Sequence, residues 1–103
     1  MNNKILSLLG FAAKAGKLSY GFEAAIGAVK AGKSKLILVA CDISPKSLKE
    51  TMYFADKFGV RHSIIKGIDI KTVSDAVGRK CGILSVSDQG FADSILNAIG
   101  SEE

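Results

Sequence analysis

Short apolar runs alternate along this chain with segments whose apolar residues recur three and four positions apart. The clearest run is "KLILVA", Lys35 to Ala40, which is continuous and contains β-branched residues, as expected of a buried strand. The segments on either side have the period of amphipathic helices. Strands that alternate with helices predict an α/β/α sandwich, in which helices cover both faces of one sheet. From this pattern alone we expect an all-parallel sheet.

Glycines and polar capping residues mark the ends of the predicted elements. Helices are predicted over 3–15 and 21–31, after Ser44, after Asp69 and after Asp88; strands are predicted over 18–20, 35–40, 60–65 and 82–86. The three polar residues named here are N-cap residues, and Pro45 suits the first helical position. The helices are expected to end at Gly16, Gly32, Gly59 and Gly78.

The length and the charge distribution constrain the class of protein. A chain of 103 residues forms one domain, residues 1–103, with a single core. Residues 1–35 carry six lysines and one acidic residue, whereas the remainder has a net charge of −1. A basic segment of this kind suits either a polyanionic partner or a solvated lysine-rich surface.

Several classes of function are disfavoured. No apolar run approaches the roughly 20 residues of a membrane span, and Lys14 interrupts the N-terminal apolar pattern, which disfavours a signal peptide. Two distant cysteines and one histidine, His62, provide no zinc site, so we expect no metal or cofactor and a reducing cytoplasm. Ser87 and Asp88 have the pattern of a helix start, and no nucleophile–base pair is evident. We therefore expect a protein that is not an enzyme.

The stretch "GAVKAGKS", Gly27 to Ser34, matches the phosphate-loop pattern G-x-x-x-x-G-K-[ST]. A phosphate loop follows a strand and opens a helix, so that amide groups face the phosphates. Here a helix leads into the pattern and a strand leaves it, so the helix presents its carbonyl groups. We expect no nucleotide there; instead Gly32 ends the helix and Gly27, inside it, marks a close packing contact. Asp42 ends the buried strand, where it helps to start the next helix or, less favoured, has a catalytic role.

Three phrases carry a more specific signal: "LLGFAAKAGKLSYG", "AVKAGKSKLILVACDISP" and "AVGRKCGILSVSDQGFA". Together they resemble the bacterial YlxQ-type proteins, which belong to the ribosomal-protein family whose archaeal members bind kink-turn RNA. The resemblance covers nearly the whole chain. It implies a four-stranded mixed sheet of order 1-4-2-3, with the last strand antiparallel to the others. It also implies a cytoplasmic, ribosome-associated protein that recognises structured, kink-turn-like RNA.

The resemblance also implies that three pieces meet at one end of the sheet: Tyr20 to Gly27, Cys41 to Asp42, and Gly78 to Cys81. In archaeal relatives the first piece has the signature G-x-N-E-x-x-K. Gly21 matches its glycine, but Glu23, Ala24 and Gly27 stand at the asparagine, glutamate and lysine positions. In those relatives the asparagine and the glutamate read the edges of paired guanines, so the alternative is a protein-interaction module that keeps the fold without specific kink-turn recognition.

The residues that we expect to bind RNA are Lys17, Tyr20, Gly21, Phe22, Glu23, Gly27, Asp42, Gly78, Arg79, Lys80 and Cys81. In this hypothesis Gly21 permits close approach of the RNA, Glu23 accepts a hydrogen bond from a base edge, and Asp42 organises the turn. Lys17, Arg79 and Lys80 contact phosphates. Phe22 either stacks on a base or, more readily, packs on Ile26. The particular RNA and the oligomeric state stay open.

The implied sheet order also brings two cysteines into question. If strands 2 and 4 are antiparallel neighbours, Cys41 at the end of one approaches Cys81 at the start of the other. Two reduced structural thiols are favoured over a redox-sensitive site.

Overall fold

The computed structural model describes residues 3–102, which form one four-stranded sheet between two layers of helices. The elements are α1 (Asn3–Lys14), β1 (Leu18–Tyr20), α2 (Phe22–Lys30), β2 (Leu36–Ala40), α3 (Pro45–Lys57), β3 (His62–Ile65), α4 (Ile70–Val77), β4 (Ile83–Val86) and α5 (Gln89–Glu102). The predicted elements occur in the predicted order. β3 begins later than expected, because the Val60 N–H closes α3 through a 2.8 Å hydrogen bond to the Ala55 carbonyl. The first two residues of the N-terminal segment lie outside the described residues.

The strand order is β1-β4-β2-β3, with β4 antiparallel to β1 and to β2, and β2 parallel to β3. The expectation of an all-parallel sheet is therefore wrong, and the mixed order implied by the resemblance is confirmed. The apolar pattern could not reveal this, because a strand covered on both faces is continuously apolar whichever way it runs. Leu84 of β4 lies opposite both Tyr20 and Leu38 in the register.

Two hydrophobic clusters fill the spaces between the sheet and its helical layers. Alternate residues of β2 face opposite sides: Leu36, Leu38 and Ala40 belong to the cluster that contains residues of α1, α4 and α5. Ile37 and Val39 belong to the cluster on the α2 side. β2 is thus buried along its whole length, as "LILVA" predicts.

Local hydrogen bonds form at the predicted helix starts. The side chains of Ser44, Asp69 and Asp88 accept hydrogen bonds from backbone N–H groups three residues ahead, at 3.2, 2.8 and 2.8 Å respectively. Each bond satisfies a donor that the first turn of a helix leaves unpaired. These three N-cap predictions are confirmed.

The phosphate-loop pattern lies at the end of α2, as predicted. Gly32 has φ 74°; its N–H donates to the Val29 carbonyl at 3.1 Å, and the Lys33 N–H donates to the Ala28 carbonyl at 2.9 Å. This pair of bonds is the Schellman arrangement that ends helices. Ser34 is buried, and its Oγ accepts a 2.7 Å hydrogen bond from the Ser85 hydroxyl. The strand-then-helix geometry of a phosphate loop is therefore missing from this stretch.

Acid should weaken the start of α4 through Asp69. Hydrogen bonds from the Thr72 hydroxyl and N–H lower the pKa of Asp69 from its ordinary value of 3.8. A lowered folded-state pKa contributes stability that is complete above 3.8 and is lost as pH falls through the folded-state value. Asparagine caps helices about as well as aspartate does. We therefore expect Asp69→Asn to match the parent at pH 7 and to lose less stability below pH 4, measured by urea unfolding.

Candidate functional site

The direction of β4 brings distant parts of the chain together. Because β4 runs antiparallel between β1 and β2, its first residues lie beside the last residues of both. The Gly21 N–H donates to the Ile83 carbonyl and the Ala40 N–H donates to the Gly82 carbonyl, both at 2.8 Å. One end of the sheet therefore collects Tyr20–Gly21 with the start of α2, Cys41–Asp42, and the segment 78–82. We call this end the candidate interface.

Gly21 sets the path of the chain from β1 into α2. Its φ of 87° and ψ of 166° lie in a region that is accessible essentially to glycine alone. A Cβ built on Gly21 would meet no described atom within 4 Å. The glycine is therefore required by its backbone conformation, and it leaves an open surface that a ligand can approach closely.

The outer face of α2 is exposed to solvent at the three signature positions. Glu23, Ala24 and Gly27 are exposed. A Cβ on Gly27 would have no described neighbour within 4 Å beyond its own helix, so the predicted close packing contact is wrong. Phe22 packs inward against Phe54 of α3, with ring centroids 6.4 Å apart, and against the α2-side cluster. Phe22 therefore contributes to the packing between helices, with Phe54 as its aromatic partner.

The loop that precedes β4 carries two basic side chains and is joined to α4 by hydrogen bonds. The guanidinium carbon of Arg79 lies 4.8 Å from the centroid of the Tyr20 ring, a cation–π contact, and Lys80 is exposed beside it. The Ser74 hydroxyl oxygen accepts from the Cys81 N–H at 3.0 Å and donates to the Cys81 carbonyl at 3.2 Å. Ser74, which the sequence shows only as a residue within a helix, therefore ties the loop to α4.

Cys81 is placed differently from the other predicted site residues. Its side chain is buried in the core cluster that includes residues of α1, α4 and α5, so its thiol does not face solvent. Burial raises the pKa of this thiol, and the charge of Arg79 offsets the effect only in part. The thiol is thus kept protonated, and the exposed surface of the loop comes from Gly78, Arg79 and Lys80.

Asp42 links the turn after β2 to the start of α4. Its Oδ1 accepts a 2.8 Å hydrogen bond from the N–H of Ile70, the first residue of α4. The expectation that Asp42 helps to start the next helix along the chain is wrong, since Ser44 caps α3 and Asp42 supports α4. The contact agrees with the expectation that Asp42 organises the turn, and its part in RNA binding stays a prediction.

Cys41 and Cys81 are both free thiols, one exposed and one buried. The register of β2 with β4 pairs Val39 with Ile83. If this register continued for two more residues, Cys41 would lie opposite Cys81. Instead, the Cys41 N–H donates a hydrogen bond to the Ile68 carbonyl. The close approach of their side chains and a redox role stay predictions.

Lys17 lies apart from the other predicted site residues. It precedes β1, and its carbonyl accepts hydrogen bonds from the Ser87 N–H and hydroxyl at the far end of β4. Gly21 lies four residues further on, about 13 Å away along an extended chain. The backbone of Lys17 therefore lies at the opposite end of β1 from the candidate interface.

Gly82 was not singled out from the sequence, yet it is the most crowded glycine of the candidate interface. A Cβ there would lie 2.8 Å from Ile43 Cδ1 and 2.9 Å from Ile70 Cγ1. We expect Gly82→Ala to lower the free energy of unfolding by about 1–2 kcal/mol, since both neighbours are side chains that can shift. Urea unfolding measures the change. Gly100→Ala is the control, because a Cβ at Gly100 meets no described atom within 4 Å; equal effects of the two substitutions would contradict the crowding explanation.

The described residues offer no sign of a metal centre or a membrane span. Within 3–102, no group of three or more His, Cys, Asp and Glu side chains could hold an ion. None of the described helices is both long enough and apolar enough to cross a bilayer. His62 is partly buried, with Nε2 3.2 Å from the Asp56 carboxylate at the surface.

Known ribosomal proteins are similar to this chain in sequence. The chain is 33% identical over 91 residues to large ribosomal subunit protein eL30B of Schizosaccharomyces pombe, covering 86% of this chain and 77% of the relative. It is 31% identical over 101 residues to protein eL30 of Euphorbia esula, covering 96% and 89% respectively.

Two solved structures have a similar fold. A protein of unknown function from Bacillus halodurans C superposes with a TM-score of 0.88 and 26% identity, covering 94% of this chain and 97% of that one. A 15.5 kDa RNA-binding protein of Giardia lamblia gives a TM-score of 0.76 at 17% identity, covering 97% and 85%, and supports the fold alone.

The sequence profile of a ribosomal-protein family matches residues 3–96, which is most of the chain. This match agrees with the prediction of a protein that is not an enzyme, because the relatives are constituents of the large ribosomal subunit. The chain belongs to the ribosomal protein L7Ae/L30e/S12e/Gadd45 family.

Proposed function

We propose that this protein is a non-enzymatic RNA-binding protein that associates with ribosomal or other structured RNA through the candidate interface. The observation that carries the proposal is the convergence at one sheet end of Gly21, the outer face of α2 and the basic pair Arg79–Lys80. Membership of a ribosomal-protein family supports it. Its RNA partner makes it a component of a ribonucleoprotein.

The geometry suits a partner recognised by shape and phosphates. Because Gly21 and Gly27 have no side chains and the space beside them is open, an RNA backbone can approach the start of α2 closely. Arg79 and Lys80 project at the edge of that surface and can neutralise phosphates, while the hydrogen bonds of Ser74 hold their loop in place. Double-stranded RNA is recognised mostly by its shape and by contacts to phosphates and 2′-hydroxyls, which such a surface can make.

Kink-turn recognition is the more specific proposal, and it depends on which side chains α2 offers to the RNA. Glu23 can still accept a hydrogen bond from a guanine edge, but Ala24 and Gly27 have no polar side-chain group. These small exposed residues are also the observation that favours the alternative, a protein-interaction module that keeps the fold. We further propose that the chain is a cytoplasmic bacterial protein of the YlxQ type, in keeping with its similarity to the Bacillus halodurans structure.

A binding titration tests the proposed function. The full chain is titrated against a standard kink-turn RNA and a straight RNA duplex of equal length, at two salt concentrations. Tighter binding to the kink-turn at both concentrations supports kink-turn recognition. Equal, steeply salt-dependent affinities indicate nonspecific phosphate binding, and no binding to either RNA favours the interaction module.

Restoring the archaeal signature sharpens this experiment. The triple substitution Glu23→Asn, Ala24→Glu and Gly27→Lys changes only exposed residues of α2, so the core is untouched. If the candidate interface holds a kink-turn in the family manner, the variant should bind the kink-turn at least about tenfold more tightly, the equivalent of one regained base contact. A gain that is equal for the straight duplex would point to charge alone.

A further inference from the structure

A second feature adjoins the candidate interface. A cleft of about 650 Å³ lies between α1, Tyr20 and the end of α4, and its lining includes Phe11, Lys14, Tyr20, Asp75 and Arg79. Its floor is set by a close approach of the two helices, because a Cβ on Gly10 would lie 3.5 Å from the Ala76 carbonyl oxygen. The cleft shares Tyr20 and Arg79 with the candidate interface and therefore continues that surface toward α1.

Phe11 is the least expected residue of this cleft. Its side chain is 59% exposed, although Ile5, Leu9 and Ala12 of the same helix are buried. An exposed aromatic ring in the lining of a cleft offers a face on which a nucleic-acid base can stack. In the same lining, the guanidinium carbon of Arg79 lies 4.8 Å from the centroid of the Tyr20 ring. The cleft is therefore lined by two aromatic rings and a planar cation.

The charges of the cleft suit an anionic ligand. Lys14 and Arg79 contribute two positive charges to the lining. The one carboxylate, Asp75, is offset by Lys71, whose Nζ lies 3.3 Å from Asp75 Oδ2. A carboxylate in the lining can also accept hydrogen bonds from the N–H donors of a base edge, as acidic side chains do in nucleic-acid recognition.

We propose that this cleft binds one unpaired nucleotide of the RNA held at the candidate interface, an inference that rests on the proposed function. The base stacks between Phe11 and the Tyr20–Arg79 pair, and Lys14 contacts a phosphate. Aromatic rings combined with cations are the usual means of binding single-stranded nucleic acid. Because Asp75 is an acceptor, the site prefers guanine, whose N1–H and N2–H both donate, over uracil.

The test compares a kink-turn RNA with the same RNA carrying a short single-stranded tail of guanosines or of uridines. We expect the guanosine tail to raise the affinity of the parent protein roughly five- to 100-fold, as stacking of one base does. Phe11→Ala should abolish this increment and leave binding of the untailed RNA unchanged. Tyr53→Ala is the matched control, because Tyr53 is also 59% exposed but lies on α3. It should retain the increment.

The outcomes separate this inference from the proposed function. Binding of the untailed RNA reports on the candidate interface alone. The cleft assignment is overturned if the guanosine tail adds no affinity, or if the added affinity survives Phe11→Ala. It is also overturned if Tyr53→Ala lowers the added affinity as much as Phe11→Ala does, or if guanosine and uridine tails bind equally well. If the untailed RNA does not bind, a free tetranucleotide that contains 2-aminopurine is titrated instead. Fluorescence quenching that depends on Phe11 supports the cleft assignment, and the absence of such quenching overturns the assignment.

Discussion

Reversing the charges of Arg79 and Lys80 together, as Arg79→Glu with Lys80→Glu, should lower RNA affinity roughly 10²-fold near 0.1 M salt. Both residues are exposed on a loop whose backbone is held by Ser74, so the substitutions change charge and leave the fold intact. Each phosphate contact releases one counterion from the RNA, so the loss of a contact also removes that counterion release. The slope of log affinity against log salt should therefore fall by about 2, measured by titration at several salt concentrations.

The matched control reverses two lysines at the other end of β2. Lys33→Glu with Lys35→Glu makes the same change in net charge just before Leu36, far from the candidate interface. This variant should keep most of its affinity. If both pairs reduce binding equally, the protein attracts RNA through its overall charge, and the assignment of the loop is wrong.

Replacing Gly21 by alanine should cost about 1–3 kcal/mol of the free energy of unfolding. The cause is conformational, since φ 87° and ψ 166° strain any residue with a Cβ while no described atom lies within 4 Å to crowd it. Relief of the strain would also break the 2.8 Å hydrogen bond from the Gly21 N–H to Ile83, which joins β1 to β4. Urea unfolding at constant m-value measures the loss.

Gly27→Ala provides the opposite expectation for the same chemical change. Gly27 lies inside α2 with an ordinary helical backbone and open space around it. Alanine is favoured over glycine there by up to about 1 kcal/mol, so the variant should be more stable than the parent. Loss of stability in both variants would contradict the explanation that backbone conformation, rather than space, decides the sign.

The ends of several helices follow from interactions between near neighbours in sequence. The Ser44 and Asp69 caps and the glycine end of α2 involve residues three to five positions apart, so their residue types alone indicate them. The same locality explains why the sequence alone distinguishes "GAVKAGKS" from a true phosphate loop. Its function as a helix end depends on the order of helix and strand.

The candidate site was only partly predictable. The resemblance indicated which three segments meet, and the structure brings Tyr20, Gly21 and Arg79 together as expected. It separates Lys17 from them and turns the Cys81 side chain into the core. Residue type could not distinguish these cases, because whether a lysine or a cysteine faces a ligand depends on how the loop around it folds.

Sequence by itself determined the succession of helices and strands, the ends of those helices and the absence of a phosphate-loop geometry, because these depend on local backbone preferences and on apolar periodicity. Only the tertiary structure decided the position of the Asp42 carboxylate on Ile70, the crowding at Gly82 and the cleft beside Phe11. Asp42 and Ile70 are 28 residues apart in sequence. The Asp42–Ile70 contact follows from the parallel pairing of β2 with β3, whereas Gly82 is placed beside the end of β2 because β4 runs antiparallel to it. The sequence could not reveal either pairing, because the apolar pattern of a strand buried on both faces is the same in either direction.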